Sequence, residues 1–386
     1  MKNLSIYVHW PWCKSKCPYC DFNSHSFKTY DEDEYIDCVL AELDSVYANL
    51  KDAKNYKVSS IYFGGGTPSL MQATSVGRVI DKIKSLFMLT DEVEISSECN
   101  PTSAEAEKMQ EFAAFGVNRV SIGVQSLRND LLKFLGREHD CSEAMQAIKY
   151  AFGAVKNVNF DLIYGLPDQK LEDWQSDLEY AIKVGTPHIS CYQLTIEKNT
   201  AFYNLYKNKQ LIMPSVDTQA EFFDYTRKFL IEHGYENYEV SNFAKPGFDC
   251  KHNVNIWQYN NYIGVGAGAH GRYMNKHGDY IATQNIKAPS QYVKAIKEKG
   301  LAYSKTEMLG NNEIAFEMLL LGLRLKQGMN IQDFENLTGQ KLEEFVNNSK
   351  LDLFLRQDLL VKENNYLKLT EKSYHLLNQI IEELLV

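Results

Sequence analysis

The sequence carries little positive charge for its length. Its 386 residues include 41 Lys and Arg against 50 Asp and Glu, which gives a formal net charge of −9. The imbalance persists in residues 306–386, where eight basic side chains stand against thirteen acidic ones. Because a nucleic-acid-binding surface neutralises phosphates with Lys and Arg, we expect no nucleic acid among the partners of this protein.

Long apolar runs and paired cysteines are also missing. The richest apolar run, MLLLGLRL near residue 320, is interrupted by Arg324 and is shorter than the ~20 residues that span a bilayer. The opening residues MKNLSIYVHW lack the apolar core of a signal peptide. Scattered single cysteines are typical of free thiols in a reducing compartment, and five of the eight are of this kind: Cys38, Cys99, Cys141, Cys191 and Cys250. We therefore expect a cytoplasmic protein with at most peripheral membrane contact.

The other three cysteines form the most informative feature of the chain. Cys13, Cys17 and Cys20 lie in the run CKSKCPYC, directly after the apolar segment IYVHW. Thiolates at this spacing suit zinc or an iron–sulfur cluster, and a closed site of either kind needs four protein ligands. Three thiolates leave one metal position open to a small molecule. A fourth ligand from His9 or His25 would make a zinc site instead, and this alternative stays open.

Residues 1–200 alternate between strand-like and helix-like segments. Apolar residues at helical spacing, such as Tyr35, Val39 and Leu43, mark the segments between the strands. This alternation predicts an α/β fold with a parallel sheet and right-handed crossovers, either a partial barrel or a doubly wound sheet. Six stretches rich in Val, Ile, Tyr or Phe are the predicted strands: 6–10, 58–65, 92–99, 119–125, 160–167 and 188–194.

Glycines and polar residues cluster where the predicted strands end. GGGTP follows the second strand, ECNP follows the third, and GVQS ends the fourth. The glycines allow backbone groups to approach a ligand closely, but the Lys and Ser/Thr of a phosphate-binding GxxxxGK[ST] loop are missing. Because the strands of a parallel barrel end at one edge, we expect a small-molecule site at that edge.

The remaining sequence divides into two further regions. Residues 201–305 are less regular and rich in aromatic side chains, and residues 306–386 form a compact tail. In the tail we predict helices over NEIAFEMLLLGLRL, QDFEN and KLEEFVNNSKLDLFL, a hairpin that turns at Asn364–Asn365, and a last helix capped by Thr370. This order is typical of a winged-helix-like α+β domain, which we expect to pack against the barrel.

Several of these segments together resemble one known superfamily. The chain contains, in order, YVHWPWCKSKCPYC, FGGGTPSL, ECNP, RVSIGVQS, GREH, FDLIYGLP and GAGAHGRY. They resemble the radical S-adenosylmethionine (SAM) superfamily, in the branch of the oxygen-independent coproporphyrinogen III dehydrogenases and the related heme chaperones. The resemblance implies a partial (β/α)6 radical SAM barrel in residues 1–200, which carries a [4Fe–4S] cluster and SAM. In that superfamily the open iron holds the methionine end of SAM, and an electron then cleaves the sulfonium.

The resemblance also implies roles for individual residues. It makes Cys13, Cys17 and Cys20 the cluster ligands. Carboxylates suit the hydroxyls of SAM, and a guanidinium suits its carboxylate. For Glu98, Gln125, Arg137 and Asp161, residue chemistry alone leaves a buried structural role as the alternative. The implied SAM contacts are Tyr7, Tyr19, Gly65, Gly66, Thr67, Glu98, Gln125, Arg137 and Asp161.

Two features favour the heme chaperones over the dehydrogenases. Phe22 stands where the dehydrogenases carry a fourth cysteine, and the segment before Cys13 is short. The run HNVNIW resembles the heme-associated HNxxYW of the chaperones, with Ile256 in place of tyrosine. It implies heme contacts by His252 and Trp257, unless these residues only fix an aromatic loop.

We therefore expect a chaperone that binds heme and transfers it to respiratory hemoproteins. Two alternatives remain at this point. One is the dehydrogenase activity itself, which decarboxylates propionate side chains in porphyrin biosynthesis. The other is a binding module that zinc stabilises through the three cysteines.

Overall fold

The computed structural model describes residues 2–26 and 29–385. The α-helices are α1 (Glu32–Asn49), α2 (Ala73–Leu86), α3 (Ser103–Ala114), α4 (Asn129–Phe134), α5 (Cys141–Ala154), α6 (Leu171–Val184), α7 (Ala201–Lys207), α8 (Val216–Glu232), α9 (Lys251–Trp257), α10 (Pro289–Lys299), α11 (Asn311–Gly322), α12 (Ile331–Thr338), α13 (Leu342–Phe345), α14 (Asn348–Arg356) and α15 (Leu377–Leu384). The strands are β1 (Lys2–Trp10), β2 (Trp12–Cys13), β3 (His25–Ser26), β4 (Tyr56–Gly65), β5 (Met88–Cys99), β6 (Arg119–Gln125), β7 (Asn157–Tyr164), β8 (His188–Gln193), β9 (Glu236–Glu239), β10 (Asn242–Ala244), β11 (Tyr262–Val265), β12 (His270–Met274), β13 (Tyr280–Asn285), β14 (Tyr303–Met308), β15 (Met329–Asn330), β16 (Leu360–Glu363) and β17 (Tyr366–Leu369).

The six strands predicted from the sequence form the parallel centre of one large sheet. Their order is β1-β4-β5-β6-β7-β8, and each neighbouring pair is parallel. Helices connect consecutive strands, as the alternating pattern predicts. The first of these, α1, begins where the Asp31 side chain accepts the Glu34 backbone N–H, and it buries Tyr35, Val39 and Leu43. The observed arrangement is the partial (β/α)6 barrel.

The aromatic-rich middle region extends this sheet on both sides, which the sequence did not reveal. Among the described residues the sheet has twelve strands, in the order β14-β13-β12-β11-β1-β4-β5-β6-β7-β8-β10-β9. β11 runs parallel to β1, whereas β12, β13 and β14 follow as antiparallel neighbours. β10 and β9 continue antiparallel from β8. The boundaries at residues 200 and 305 remain predictions.

The C-terminal region packs around a core of its own. Helices α11, α12, α14 and α15 enclose buried side chains such as Leu319, Phe334 and Ile381 against the small sheet β15-β17-β16. The predicted hairpin turns at Asn364 and Asn365, whose φ angles of 49° and 68° fit a tight two-residue turn. This is the α+β domain that the sequence predicts.

Two helix predictions for this region need correction. The run KLEEFVNNSKLDLFL is not one helix, because the Asn347 side chain accepts the Lys350 backbone N–H and starts a new helix there. The last predicted helix opens with a 3-10 turn over Glu371–Leu376, and Thr370 caps that turn.

In residues 2–26 and 29–385, none of the helices is both long and apolar enough to cross a membrane.

Candidate functional site

A cavity of about 480 Å³ opens at the edge where the barrel strands end. It lies beside the ends of β4, β5 and β6, as the strand-end residues of the sequence predict. Eleven of the fourteen predicted site residues line it: Cys13, Cys17, Tyr19, Cys20, Gly65, Gly66, Thr67, Glu98, Gln125, Arg137 and Asp161. The fold thus brings residues from six separate parts of the chain to one place.

The three cysteines reach this cavity on a short loop. β2 and β3 pair at the base of the loop, and the Cys20 backbone N–H donates to the Cys17 carbonyl at 3.1 Å. All three thiols are free and partly buried. Burial raises the pKa of Cys13 and of Cys20. A metal is bound by the thiolate form. The positive charge of the metal therefore has to offset the free energy needed to ionise these buried thiols.

Arg137 holds the cysteine loop from the opposite side. Its Nη1 lies 3.4 Å from the sulfur of Cys17, and its Nη2 donates to Asn100 Oδ1 at 3.0 Å and to the Gly123 carbonyl at 2.9 Å. Its Nε is buried and, within the described part of the chain, has no hydrogen-bond partner. The guanidinium also lines the cavity, where it offers positive charge to an anionic acceptor.

The glycine loop packs directly on the cysteine loop. The Gly66 backbone N–H donates to the Trp10 carbonyl at 2.6 Å. A Cβ on Gly66 would lie 2.5 Å from the Trp12 carbonyl oxygen, and a Cβ on Gly65, whose φ is +113°, would lie 2.5 Å from the His9 ring. Gly66 is thus required by the contact between the two loops, and Gly65 by its φ angle and its contact with His9 of β1.

Glu98 presents a carboxylate to the cavity from the end of β5. The Tyr62 hydroxyl donates to its Oε1 at 3.0 Å, and the Gly65 backbone N–H donates to its Oε2 at 3.1 Å. Burial raises the pKa of Glu98 to about 7, even though these two donors favour the charged form. A ligand that donates hydrogen bonds or carries positive charge would stabilise the carboxylate.

Gln125 and Asp161 complete the polar wall. Gln125 ends β6 with a φ of 71°, an uncommon angle for a residue other than glycine, and this turns the backbone at the cavity. Asp161 accepts from Asn159 Nδ2 at 2.9 Å and from Ser121 Oγ at 3.3 Å, and burial raises its pKa. The predicted site residues therefore bring three thiols, two carboxylates, one amide and one guanidinium to the cavity.

Comparison with known proteins identifies this arrangement. Residues 7–181 match the model of the Radical SAM superfamily, and residues 309–374 match that of the HemN C-terminal domain. The heme chaperone HemW of Haemophilus influenzae is 37% identical over 98% of this chain and 97% of its own length. The chain belongs to the HemW family of radical SAM proteins. Radical S-adenosyl methionine domain-containing protein 1 of Danio rerio, a mitochondrial relative, is 35% identical over 86% of this chain and 75% of its own length.

A solved structure shows the same fold as this HemW-family chain. Coproporphyrinogen III oxidase (HemN) from Escherichia coli aligns with a TM-score of 0.80, over 99% of this chain and 89% of its own, at 21% identity. At that identity the likeness concerns the fold. The predicted radical SAM fold with its C-terminal α+β domain is confirmed.

Tyr7 and His9 support the radical SAM site from behind its wall. Tyr7 is not among the side chains that line the cavity, but its ring stacks on Tyr62, which is one of them, at 6.1 Å. Its hydroxyl lies 3.1 Å from His9 Nδ1, and His9 Nε2 lies 2.9 Å from the Asn23 carbonyl. Both nitrogens of His9 are thus engaged, so His9 is not placed as a fourth metal ligand. His25 likewise bonds Asn23 Oδ1, at 3.2 Å.

His252 and Trp257 lie near opposite ends of α9 and have different neighbours. His252 is only 3% exposed and stacks on Tyr62 inside the barrel. Trp257 lies at the other end of α9, where the Arg324 guanidinium stands 4.6 Å from its ring centroid. Burial closes the imidazole off from a flat macrocycle in this structure, and heme contacts by His252 and Trp257 stay a prediction.

Sequence reasoning missed three residues that shape the site. Tyr62 and Asn100 line the cavity and fix Glu98 and Arg137, respectively. Asn23 donates through Nδ2 to the Ala267 carbonyl at 2.9 Å and so ties the cysteine loop to the GAGAH segment. Asn100 could have been predicted from the sequence because it belongs to ECNP, whereas the sequence gives no signal that separates Tyr62 from an ordinary strand residue.

Proposed function

We propose that this chain is a heme chaperone that binds heme and transfers it to hemoproteins, with a [4Fe–4S] cluster and SAM bound in the cavity. The observation that carries the proposal is the 37% identity to the heme chaperone HemW over nearly the full length of both chains. Respiratory hemoproteins in the cytoplasm or at its membrane surface are the proposed acceptors.

The donor set fits an iron–sulfur cluster better than a single zinc ion. Cys13, Cys17 and Cys20 all line one cavity, with their thiols free. Yet among the described residues no three His, Cys, Asp or Glu side chains are grouped closely enough to hold one metal ion. A four-iron cluster is wider than an ion, so its ligands stand further apart. With three thiolates on it, such a cluster supplies an open iron site and one electron at a time.

The rest of the cavity fits the functional groups of SAM. The Arg137 guanidinium, which lines the cavity, suits the methionine carboxylate, and the Glu98 carboxylate suits a hydroxyl or the positive charge. Gly65 and Gly66 line the same wall. These residues hold and orient the cofactor, and burial of the polar wall strengthens each contact.

Phe22 favours the chaperone over the dehydrogenase. Its side chain lines the cavity beside the cysteines and is 61% exposed. According to the resemblance, the dehydrogenases of this branch carry a cysteine at this position. A phenyl ring supplies neither a thiol nor a proton to a substrate there.

Anaerobic reconstitution of the purified chain tests the proposal. We expect about four irons with matching sulfide, and saturable binding of heme in an absorbance titration. The same protein should fail to convert coproporphyrinogen III in the presence of SAM and a reductant. Efficient formation of protoporphyrinogen would establish the dehydrogenase instead, and about one zinc without sulfide would establish the zinc-stabilised module.

A further inference from the structure

The helix that carries the HNVNIW run lies inside the barrel, against β1 and β4. Glu94 fixes its first turn: Oε2 accepts the Lys251 backbone N–H and Oε1 accepts the His252 backbone N–H, each at 3.2 Å. Further along the helix, Asn255 Nδ2 donates to Ser59 Oγ at 2.8 Å. Helix α9 is therefore held at two points, and His252 has a fixed position below the cavity.

The His252 ring is held by one hydrogen bond, by a stacking contact with Tyr62 and by a tilted contact with the Tyr7 ring at 6.2 Å. Its Nδ1 lies 3.0 Å from Ser60 Oγ, and the Ser60 hydroxyl donates to Ser5 Oγ at 2.8 Å, which leaves the imidazole N–H as the donor to Ser60. The ring lies 4.9 Å from the Tyr62 ring at an interplanar angle of 24°. Burial lowers the pKa of His252 to about 3, so the ring is neutral near pH 7.

Tyr62 connects this buried ring to the cavity. Its second aromatic neighbour is Tyr7, stacked at 6.1 Å and 18°, so that the phenol ring lies among aromatic neighbours. Its hydroxyl donates to Glu98 Oε1 at 3.0 Å. Tyr62 and Glu98 both line the cavity, and His252 stands one side chain behind them.

We propose that His252 is a positioning residue for SAM: its ring orients Tyr62 and, through the Tyr62 hydroxyl, the Glu98 carboxylate. The inference rests on the proposed binding of SAM in the cavity. It gives the HNVNIW run a role at the cofactor site, in place of the heme ligation that the sequence suggests. A positioning residue acts through its shape, so another flat ring should replace it, whereas a metal ligand needs the nitrogen.

Two substitutions at this position separate the alternatives. His252→Phe keeps a flat ring against Tyr62 and removes the nitrogens, whereas His252→Ala removes both. We expect His252→Ala to raise the dissociation constant of SAM by about two- to tenfold, as befits the loss of one aromatic contact. His252→Phe should restore most of the affinity. Tyr62→Phe, which keeps the ring and removes the hydroxyl, should weaken SAM binding although His252 is intact.

The measurement is an anaerobic SAM titration of the reconstituted protein, with iron and sulfide content, heme affinity and the melting temperature determined on the same samples. Asn253→Ala, at the next position of the helix, is the matched control and should bind SAM as the wild type does. Loss of heme binding in both His252 variants with unchanged SAM affinity would overturn the inference in favour of a heme ligand. Unchanged SAM affinity in His252→Ala would also overturn it. A wild-type protein that binds no SAM would refute the proposed function itself.

Discussion

Lowering the pH from 8 to 6 should weaken SAM binding by about tenfold through Glu98. Burial raises the pKa of this carboxyl to about 7, and the nearby charge of Asp161 acts in the same direction. At that pKa the ionised fraction falls from about nine-tenths at pH 8 to about one-tenth at pH 6. If only the carboxylate accepts hydrogen bonds from SAM, the affinity falls in the same proportion.

The assay is an equilibrium SAM titration at pH 6, 7 and 8, with Glu98→Gln as the control. The variant should bind SAM more weakly at pH 8 and lose this part of the pH dependence. Burial lowers the pKa of His139, another cavity residue, to about 4, so its ring stays neutral over this range. Titration of SAM itself is common to both proteins and cancels in the comparison. Parallel pH profiles for wild type and variant would refute the reasoning.

The same carboxyl links the stability of the apoprotein to pH. Because its folded pKa lies above the unfolded value, the native state binds the extra proton, and the stabilisation is complete below pH 4.5. It is lost as the pH rises through about 7. The shift from 4.5 to about 7 corresponds to at most about 3 kcal/mol in the free energy of unfolding. The unfolding free energy of Glu98→Gln should therefore vary less between pH 5 and 8 than that of the wild type.

Three further changes test the site and the loops that build it. Cys17→Ala should abolish the cluster, measured as iron and sulfide, while the melting temperature of the apoprotein stays within a few degrees, because the barrel core lies elsewhere. Arg137→Ala should lower the unfolding free energy by about 1–3 kcal/mol in a urea titration, since it leaves buried acceptors unpaired, and should weaken SAM binding. Gly66→Ala should lower the free energy of unfolding, because the new Cβ meets the Trp12 carbonyl. Gly153→Ala lies inside α5 with its nearest neighbour at 3.9 Å, so it should raise the free energy of unfolding by about 0.5–1 kcal/mol. Equal effects of the two substitutions would contradict the packing argument.

The sequence was sufficient for the barrel because its signals are local. Each predicted strand is a short β-branched or aromatic run that ends at a glycine or polar residue, and all six are present within a few residues of the predicted bounds. The rule that parallel strands end at one edge then places GGGTP, ECNP and GVQS around one cavity. Glu98 and Gln125 belong to two of these runs and stand at the ends of their strands, whereas their roles toward SAM come from the resemblance.

The parts that sequence reasoning missed depend on contacts between distant segments. Residues 236–308 add six strands to the sheet, but these strands are short, and their pairing with β1 and β8 leaves no periodic signal. The break at Asn347 was missed because apolar residues continue at helical spacing on both sides of it. In that helix the capping side chain, rather than the apolar pattern, decides where the turn begins.

The HNVNIW run shows how a motif and its position can lead to different conclusions. As a string of residues it offers an imidazole and an indole, both suited to heme. In the fold, the Glu94 carboxylate accepts the His252 backbone N–H at the start of α9, and Ser60 hydrogen-bonds the imidazole, so the histidine faces inward. The tryptophan contacts Arg324 at the other end of the helix. A heme ligand has to be reached by a macrocycle, and a residue that is 3% exposed beneath a cofactor cavity is reached only by its neighbours. Burial therefore separates the imidazole from any macrocycle in this structure, although the residue types alone favour a ligand role.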